Sequence, residues 1–413
     1  MLKNYFKIAI AVLKRRKFFT FISLFGISFT LMILIVLAAF VNNIVSANYP
    51  EVNRDRSLYI TTIRQLSSKQ HGQMTGPPSY YYLNKYVKTL KTPEKIAISS
   101  LFNPTNTYVN NKKLVIDMKF TNDAFWDVMQ FEFTEGKPYT LQQINNGERV
   151  AVITEDTKRE YFGDVPNVVG NYIEADNVKY RVSGVVKPVP ITMIVSYANI
   201  YVPYTASKAD LNRTSFGGNY TAVLLAKTTD DLPKIKAEYA GVVGRVEPSE
   251  KEFDIFRSSA EGYVSSFLRA TPLGDSNGNA VGKLAMIISI FILLFLLLPT
   301  LNLININISR IMERSSEIGV RKAFGASRKT LIGQFIVENI ILTFLGCLIG
   351  IVLSAIILKI INSAGLIDNM HLSIDFTVLG FSLLVCLFFG LLSGVYPAWR
   401  MSRLQVVDAL KTQ

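Results

Sequence analysis

Cysteine and histidine, which often act in catalysis or bind metals, are scarce in this 413-residue sequence. It has two cysteines, Cys347 and Cys386, and two histidines, His71 and His371. Both cysteines fall inside apolar runs, where a free thiol usually serves as a small buried hydrophobe. We interpret both histidines as surface residues, one in each of two predicted external loops. The sequence therefore predicts no metal site and no disulfide framework.

A phosphate-binding loop is also missing from the sequence. The nearest string, GNAVGKL, runs from Gly278 to Leu284. It has one residue too few between its glycines, and Leu284 stands where Ser or Thr would ligate Mg²⁺. No hydrolase motif of the GxSxG or HExxH type occurs either. We therefore predict that the chain is not an enzyme and binds no cofactor.

The net charge of +13 is concentrated in three segments. Residues 1–17, 310–329 and 399–413 together hold 15 basic and 3 acidic residues, whereas residues 46–283 are close to balanced. Each basic segment adjoins a long apolar run, as the positive-inside rule expects, so we predict that all three are cytoplasmic. A nucleic-acid role would need the excess charge on the polar domain, and the sequence argues against it.

Four apolar runs are long enough to cross a bilayer, which takes roughly 20 residues. A cleaved signal peptide is the alternative for the first run, because Val-Ser-Ala ending at Ala47 resembles a cleavage site, but the apolar core is too long for one. Residues 1–17 predict an amphipathic helix that lies on lipid headgroups. The predicted spans are 18–45, 284–309, 330–358 and 376–398, with 359–375 as a short external loop between the last two.

Small and polar residues inside these spans predict helix contacts. Gly346 and Gly350 in the third span, and Gly390 and Gly394 in the fourth, recur at four-residue spacing, which lets a second helix approach closely. We expect them to pack helices within the bundle or across a dimer. Glu338 in the third span is an intramembrane carboxylate, which usually faces protein, water or a partner. A proton relay is one interpretation, and we favour structural pairing with basic groups of 310–329.

Residues 46–283 have the alternating pattern of a mixed α and β domain. We predict two strand-helix-strand halves that flank a β-rich insertion at about 106–219, which begins with a hairpin turning at Asn110 and Asn111. An aromatic stripe at 250–270 predicts a stalk helix, with core packing as the alternative, followed by a flexible linker at 272–282. The halves are a strand at 58–65, a helix at 79–90 and a strand at 95–101, then a strand at 221–227, a helix at 231–243 and a strand at 245–247.

The segment 310–329 contains the string ERSSEIGVRKAFGAS. It resembles the loop between the second and third spans of MacB-type and FtsX-type permeases of ABC transporters, with the pattern ERxxEIGxRKAxGAS. The resemblance implies a coupling helix that binds a separate ATPase subunit, where ATP hydrolysis takes place. A merely basic loop is the alternative. The matching residues are Glu313, Arg314, Glu317, Ile318, Gly319, Arg321, Lys322, Ala323, Gly325, Ala326 and Ser327.

The polar domain is also similar to the periplasmic core domain of MacB-type permeases. The order of its elements at 125–139, 149–164, 168–190 and 199–204 carries this resemblance. The expected fold class is an α-helical membrane protein with four transmembrane helices and a large α+β extracytoplasmic domain. That domain would comprise porter-like strand-helix-strand halves plus a β-rich inserted subdomain.

The resemblance implies the permease subunit of a MacB-type ABC transporter in an inner membrane, with both termini cytoplasmic. Its partners would be an ABC ATPase subunit, a second identical or similar permease chain, membrane lipid, and a periplasmic adaptor with an outer-membrane channel. Such a subunit would transmit ATP-driven motion to its periplasmic domain and export antimicrobial peptides, antibiotics or lipids. An FtsX-type regulator of a cell-wall hydrolase and a lipoprotein-release permease are the alternatives.

Overall fold

The computed structural model describes residues 10–11, 15, 17–69, 72–109, 112–269, 271, 279–312, 324 and 327–402. The chain divides into two compact units, which are described separately. The sheet unit comprises Ile44–Leu284 and Ile367–Met370. The helical unit comprises Met1–Asn43, Ala285–Leu366 and His371–Gln413.

The described residues include ten α-helices and thirteen strands, besides short 3₁₀ helices at Arg54–Arg56, Tyr204–Ala206 and Thr229–Asp231. The helices are α1 (Lys17–Val45), α2 (Tyr80–Tyr82, continued by a π-helical turn at Leu83–Val87), α3 (Ala124–Val128), α4 (Leu141–Asn145), α5 (Glu155–Phe162), α6 (Leu232–Val243), α7 (Tyr263–Arg269), α8 (Ala280–Met312), α9 (Arg328–Ser363) and α10 (Phe376–Ser402). The strands are β1 (Ser57–Ile60), β2 (Ile63–Leu66), β3 (Gln73–Gly76), β4 (Lys95–Ser100), β5 (Asn103–Val109), β6 (Lys112–Thr121), β7 (Phe133–Gly136), β8 (Val150–Thr154), β9 (Tyr172–Ala175), β10 (Val178–Val186), β11 (Ile200–Pro203), β12 (Tyr220–Leu225) and β13 (Ile255–Ser258).

The sheet unit is built on one ten-stranded mixed sheet with the order β1-β12-β4-β6-β11-β8-β10-β7. Strand β5 pairs with β6, and β9 pairs with β10, beside this path. The central strand β8 reads VAVIT and is buried at every position, as expected for a strand covered on both faces. A smaller sheet has the order β13-β2-β3. The predicted insertion is therefore continuous with the rest of the domain, since β4 and β6 meet at Ser99 and Thr121.

Several sequence predictions for this unit are confirmed. The predicted hairpin is present as the antiparallel pair β5 and β6, with Val109 opposite Lys112, although its two turn residues lie outside the described residues. The predicted strands at 95–101 and 221–227 correspond to β4 and β12. The predicted helix at 231–243 corresponds to α6, with Pro233 in its first turn.

Other predictions for this unit were wrong. The single strand at 58–65 is divided into β1 and β2, which belong to different sheets. No strand forms at 245–247, because the backbone amides of Arg245 and Val246 bond to the carbonyl oxygens of Val242 and Val243 and close the last turns of α6. The second predicted strand-helix-strand half therefore lacks its final strand.

The predicted stalk helix at 250–270 was also wrong. Phe256 and Tyr263 of its aromatic stripe are buried in the core, as the alternative interpretation expects, whereas Phe253 is half-buried and Phe267 is exposed. Phe256 lies in strand β13, which pairs with β2, and its ring is 5.2 Å from Tyr82 and 5.4 Å from Phe216. Only the short helix α7 forms at the end of the stretch. Most of the predicted linker, 272–278, lies outside the described residues.

The helical unit contains helices long and apolar enough to cross a bilayer. Among the described residues these are α1, α8 over Ala280–Leu297, and α9 over Ile332–Ser363. Helix α10 carries a shorter apolar stretch, Leu379–Leu392. The count of four spans stays a prediction. The predicted amphipathic helix at 1–17 and the tail from 403 onward fall almost wholly outside the described residues.

Candidate functional site

A buried ion pair lies where the chain enters the sheet unit. Glu51 and Arg54 are 2% and 6% exposed, and the Arg54 Nε atom donates a hydrogen bond of 2.8 Å to Glu51 Oε2. The other carboxylate oxygen accepts a hydrogen bond of 2.6 Å from the Ser196 hydroxyl. A buried carboxylate needs such partners, because its desolvation is otherwise costly. These contacts fix the position of both side chains.

Arg54 also binds the C-terminal end of α1. Its Nη1 atom donates to the carbonyl oxygens of Ile44 at 2.8 Å and Ser46 at 2.6 Å. The last carbonyls of a helix have no partner within the helix, and a cation there also complements the helix dipole. No basic residue lies in the last turn of α1 itself. Arg54 supplies that cap from outside the helix.

The guanidinium of Arg54 lies over an aromatic ring from the other end of the domain. Its Cζ atom is 3.7 Å from the ring centroid of Tyr263, the first residue of α7. Tyr59 packs edge-on against the same ring at 5.4 Å, and its backbone exchanges two hydrogen bonds with Glu261. Burial and the Glu51 carboxylate raise the pKa of Tyr263 to about 12, so its ring stays neutral. The cation–π contact is sheltered from water and correspondingly strong.

These side chains, Glu51, Arg54, Tyr59, Ser196 and Tyr263, form the Arg54 cluster. It joins the end of α1 to α7, two segments more than two hundred residues apart in sequence. Helix α7 is the last element before the chain continues to α8. The cluster therefore ties together the entry and the exit of the sheet unit.

Lys119 is a second buried basic side chain of this unit, and it has no exposed surface. Its Nζ atom donates to the carbonyl oxygens of Ser100 at 2.8 Å and Ile194 at 3.2 Å. A neutral amine has two N–H donors, which these two carbonyls satisfy. Burial lowers the pKa of Lys119 to about 7, although the Glu51 carboxylate opposes the shift.

The predicted coupling residues mostly lie outside the described residues, namely Glu313, Arg314, Glu317, Ile318, Gly319, Arg321, Lys322, Ala323, Gly325 and Ala326. The last residue of the string, Ser327, is described. Its hydroxyl accepts a hydrogen bond of 3.2 Å from the amide of Thr330 and caps the N-terminus of α9. The string therefore ends where a long apolar helix begins.

The predicted packing glycines line close contacts in the helical unit. A Cβ atom added to Gly346 would lie 2.6 Å from Ile27 of α1, and one added to Gly350 would lie 2.9 Å from the carbonyl oxygen of Ser28. Gly390 of α10 faces Thr343 of α9 in the same way. We call Gly346, Gly350 and Gly390 the glycine seam. Gly394 lies in α10, and its predicted packing role stays a prediction.

Glu338, the two cysteines and the two histidines are the other residues considered from the sequence. Glu338 is 1% exposed within α9. Its pairing with the segment 310–329 stays a prediction, because that segment is almost wholly outside the described residues. Cys347 and Cys386 are buried with their Sγ atoms 3.5 Å apart. His371 is exposed, while His71 lies outside the described residues. Among the described residues no cluster of His, Cys, Asp and Glu could hold a metal ion.

Sequence reasoning missed the Arg54 cluster. One local signal was available, since Glu51 is the first acidic residue of the chain and directly follows the first apolar run, with Arg54 three residues later. That spacing suits an ion pair. The partners Tyr263 and Ser196 come from distant parts of the sequence and carried no such signal.

Comparison with known proteins identifies the family. The model of the MacB-like periplasmic core domain matches residues 20–241, and that of the FtsX-like permease C-terminal region matches residues 289–406. The first match covers more than half of the chain. The chain belongs to the MacB/FtsX-type family of ABC transporter permeases.

The curated relatives of this permease are distant in sequence. The macrolide export ATP-binding/permease protein MacB of Burkholderia cenocepacia is 28% identical over 70% of this chain and 40% of its own length. The uncharacterized ABC transporter permease YknZ of Bacillus subtilis is 23% identical over 70% of this chain and 68% of its own length. The permease thus spans less than half the length of the MacB relatives it matches. A crystal structure of the extracellular domain of the transporter YknZ from Gram-positive bacteria has 13% identity and a TM-score of 0.37, covering 49% of this chain and 98% of that one.

Proposed function

We propose that this permease transmits motion from a separate ABC ATPase, across an inner membrane, to its sheet unit on the far side. Residues 310–329 would bind the ATPase as a coupling helix, and the basic segments would lie in the cytoplasm. The working form would be a homodimer, or a heterodimer with a similar permease. The output would be export of antimicrobial peptides, antibiotics or lipids, with a periplasmic adaptor and an outer-membrane channel as further partners.

The observation that carries the proposal is the Arg54 cluster. A domain follows the movement of membrane helices more directly when the chain segments entering and leaving it are held together. Arg54 binds the C-terminal carbonyls of α1 and the ring of Tyr263 at once. A movement of α1 along its axis would therefore displace α7 as well.

The partner interaction is tested at the proposed coupling helix. Gly319→Trp places a bulky side chain where the ATPase groove would approach the backbone. We expect membrane insertion to be unchanged and co-purification of the ATPase to be lost. Reversing the charges of Arg321 and Lys322 should weaken the same interaction, and the remaining binding should depend on salt. Wild-type co-purification and function in both variants would return the segment to a basic loop.

The orientation is tested by thiol labelling. Asn146 is an exposed residue of the sheet unit, and both natural cysteines are buried. With Asn146→Cys, we expect an impermeant maleimide to label intact spheroplasts. Protection at position 146, combined with labelling of a cysteine placed in the tail, would reverse the proposed topology.

Co-purifying proteins also separate the proposed output from its alternatives. Export predicts an adaptor and an outer-membrane channel. A cell-wall hydrolase in their place would favour the regulatory function, and a lipoprotein carrier would favour lipoprotein release.

A further inference from the structure

The segment between β10 and β11, residues 187–199, presents two isoleucines to solvent, and we call it the isoleucine loop. Ile191 and Ile194 are 48% and 39% exposed. Every other residue of 188–199, a stretch that the structure describes throughout, is buried or half-buried. Single apolar side chains are common on protein surfaces, so the surroundings of this pair decide its meaning.

The isoleucine loop is held in one conformation by buried neighbours and by hydrogen bonds. Met193 and Val195, on either side of Ile194, are 4% and 6% exposed. The amide of Met193 donates a hydrogen bond of 3.0 Å to the carbonyl oxygen of Pro190. The carbonyl oxygen of Ile194 accepts one of 3.2 Å from Lys119 Nζ. The isoleucine side chains therefore stay on the outside, because turning them inward would displace buried residues.

Both ends of the loop are tied to the chain that follows α1. At its start, the carbonyl oxygen of Lys187 accepts a hydrogen bond of 3.1 Å from the hydroxyl of Tyr49. Near its end, the Ser196 hydroxyl donates one of 2.6 Å to Glu51. Glu51 is in turn paired with Arg54, which binds the last carbonyls of α1. The isoleucine loop therefore lies beside the C-terminal end of α1.

The length of α1 relates this end of the helix to the membrane surface. The helix has 29 residues and is apolar enough to cross a bilayer. At 1.5 Å per residue it is about 43 Å long. A bilayer has a hydrocarbon core of about 30 Å and measures about 40–45 Å with its headgroups. A spanning helix of this length ends among lipid headgroups, and the loop beside its end lies at the same level.

The composition of this region suits a lipid surface. Val45, the last residue of α1, and Val52 are 42% and 47% exposed, so they add apolar area near the same end. The isoleucine loop has no acidic residue. Its one charged side chain, Lys187, pairs with Glu132 at the surface. The loop itself therefore carries no negative charge that would repel anionic headgroups.

From these observations we propose that the isoleucine loop docks on the lipid surface beside α1, with Ile191 and Ile194 inserted at the boundary between headgroups and acyl chains. Apolar side chains bind at this boundary because they leave water there. The tie to α1 accounts for the position of the loop, and the buried neighbours account for the outward direction of the isoleucines. The inference requires only that α1 crosses a bilayer, and it does not depend on the proposed transmission of motion.

The test measures lipid contact of the full chain in nanodiscs that contain phosphatidylcholine with a nitroxide on its acyl chain. Cys347 and Cys386 are replaced by alanine, and a bimane fluorophore is attached to Ile191→Cys or to Ile194→Cys. Tyr172→Cys is the matched control. Tyr172 is 60% exposed and lies opposite Arg181, six residues before Lys187 in sequence. That separation along β10 is about 20 Å. We expect the nitroxide to quench emission at positions 191 and 194 and to leave position 172 unchanged.

A charge at one isoleucine tests whether the pair inserts together. Ile191→Asp is introduced into the protein that carries the label at position 194. A carboxylate is costly at the lipid boundary, so the quenching at position 194 should be lost. Ile191→Leu is the conservative control and should keep it. Because position 191 is exposed, both variants should show the unfolding transition of the protein with Ile191.

Aqueous iodide separates lipid from the other possible surroundings of the loop. We expect iodide to quench the label at position 172 and to spare those at positions 191 and 194. Protection from iodide without quenching by the lipid nitroxide would indicate a protein occupant, such as a second copy of the chain. Equal quenching by iodide at all three positions would indicate a loop in water. Either result, or lipid quenching at position 194 that survives Ile191→Asp, would overturn the proposal.

Discussion

The Arg54 cluster and the glycine seam both hold chain segments together, but they do so by opposite means. The cluster uses a buried ion pair, a helix cap and a cation–π contact, all of which have strict geometry. The seam uses the absence of side chains, so that helices meet by van der Waals packing alone. The contacts of the Arg54 cluster therefore depend on the chemical identity of the side chains. The contacts of the glycine seam depend only on the shapes of the helix surfaces.

The largest effect should follow from removing one half of the buried ion pair. Arg54→Ala leaves Glu51 as a buried carboxylate without a counter-ion, which costs about 3–5 kcal/mol of unfolding free energy. Urea unfolding monitored by Trp126 fluorescence, in a Trp399→Phe background, measures this loss in the sheet unit. Arg159→Ala is the matched control, because Arg159 is exposed and its pair with Asp156 spans 3.8 Å. A loss for Arg54→Ala no larger than that of the control would contradict the role of the cluster.

A smaller effect is expected from adding bulk to the seam. Gly390→Leu places a side chain against Thr343, and overpacking of this kind costs about 1–3 kcal/mol. The contact between α9 and α10 is measured by copper-phenanthroline oxidation of Cys347 and Cys386, whose Sγ atoms are 3.5 Å apart. We expect the disulfide in the wild type and its loss in Gly390→Leu.

The control for the seam is Gly380→Leu in the same helix. A Cβ atom at Gly380 meets nothing within 4 Å among the described residues. Oxidation should therefore proceed as in the wild type. Equal oxidation of the two variants would show that Gly390 has no special packing role.

A third prediction concerns the pH dependence of stability. Lys119 has a folded pKa of about 7 against its ordinary 10.5, so between these values the unfolded state binds more protons. Stability should rise with pH across that window by at most about 1.4 kcal/mol per pH unit. Lys119→Met removes this contribution, so its stability relative to the wild type should fall as pH rises above about 7. Parallel stability curves for the two proteins would refute a buried neutral lysine.

The smallest effect is expected at Tyr263, where two variants distinguish the contribution of the ring from that of the hydroxyl. Tyr263→Phe keeps the aromatic face under Arg54 and should change the unfolding free energy little. Tyr263→Leu removes that face and should cost about 1–2 kcal/mol, the range of a desolvated cation–π contact. The same Trp126 unfolding experiment measures both variants. Equal losses would mean that the ring contributes through bulk alone.

The sequence predicted what local periodicity and charge determine. The charge-free run after Lys17 predicted α1, and the glycine spacing predicted where α9 would be approached closely, because both depend on residues near one another in the chain. The helical spacing of aromatic residues gave a wrong prediction at Phe256. Aromatic residues at helical intervals predicted a helix, yet pairing of β13 with β2 and burial against Tyr82 favoured a strand.

The Arg54 cluster was beyond the reach of such rules for a physical reason. Its ion pair is local, but its function depends on Tyr263 and on the carbonyl of Ile44, which only the folded chain brings to the same guanidinium. Lys119 is similar, since one charge within a β-rich stretch does not reveal that burial lowers its pKa. Tertiary contacts of this kind have no signature at short sequence separation.

We propose that ATP-driven motion reaches the sheet unit through the Arg54 cluster. The direct measurement places an environment-sensitive fluorophore on Val52→Cys, an exposed position beside Glu51, with Cys347 and Cys386 replaced by alanine. The permease is reconstituted in nanodiscs with its partner ATPase, and emission is recorded before and after ATP is added. We predict an ATP-dependent change in emission that Arg54→Gln abolishes while ATPase binding persists. The same emission change with and without Arg54 would contradict the account.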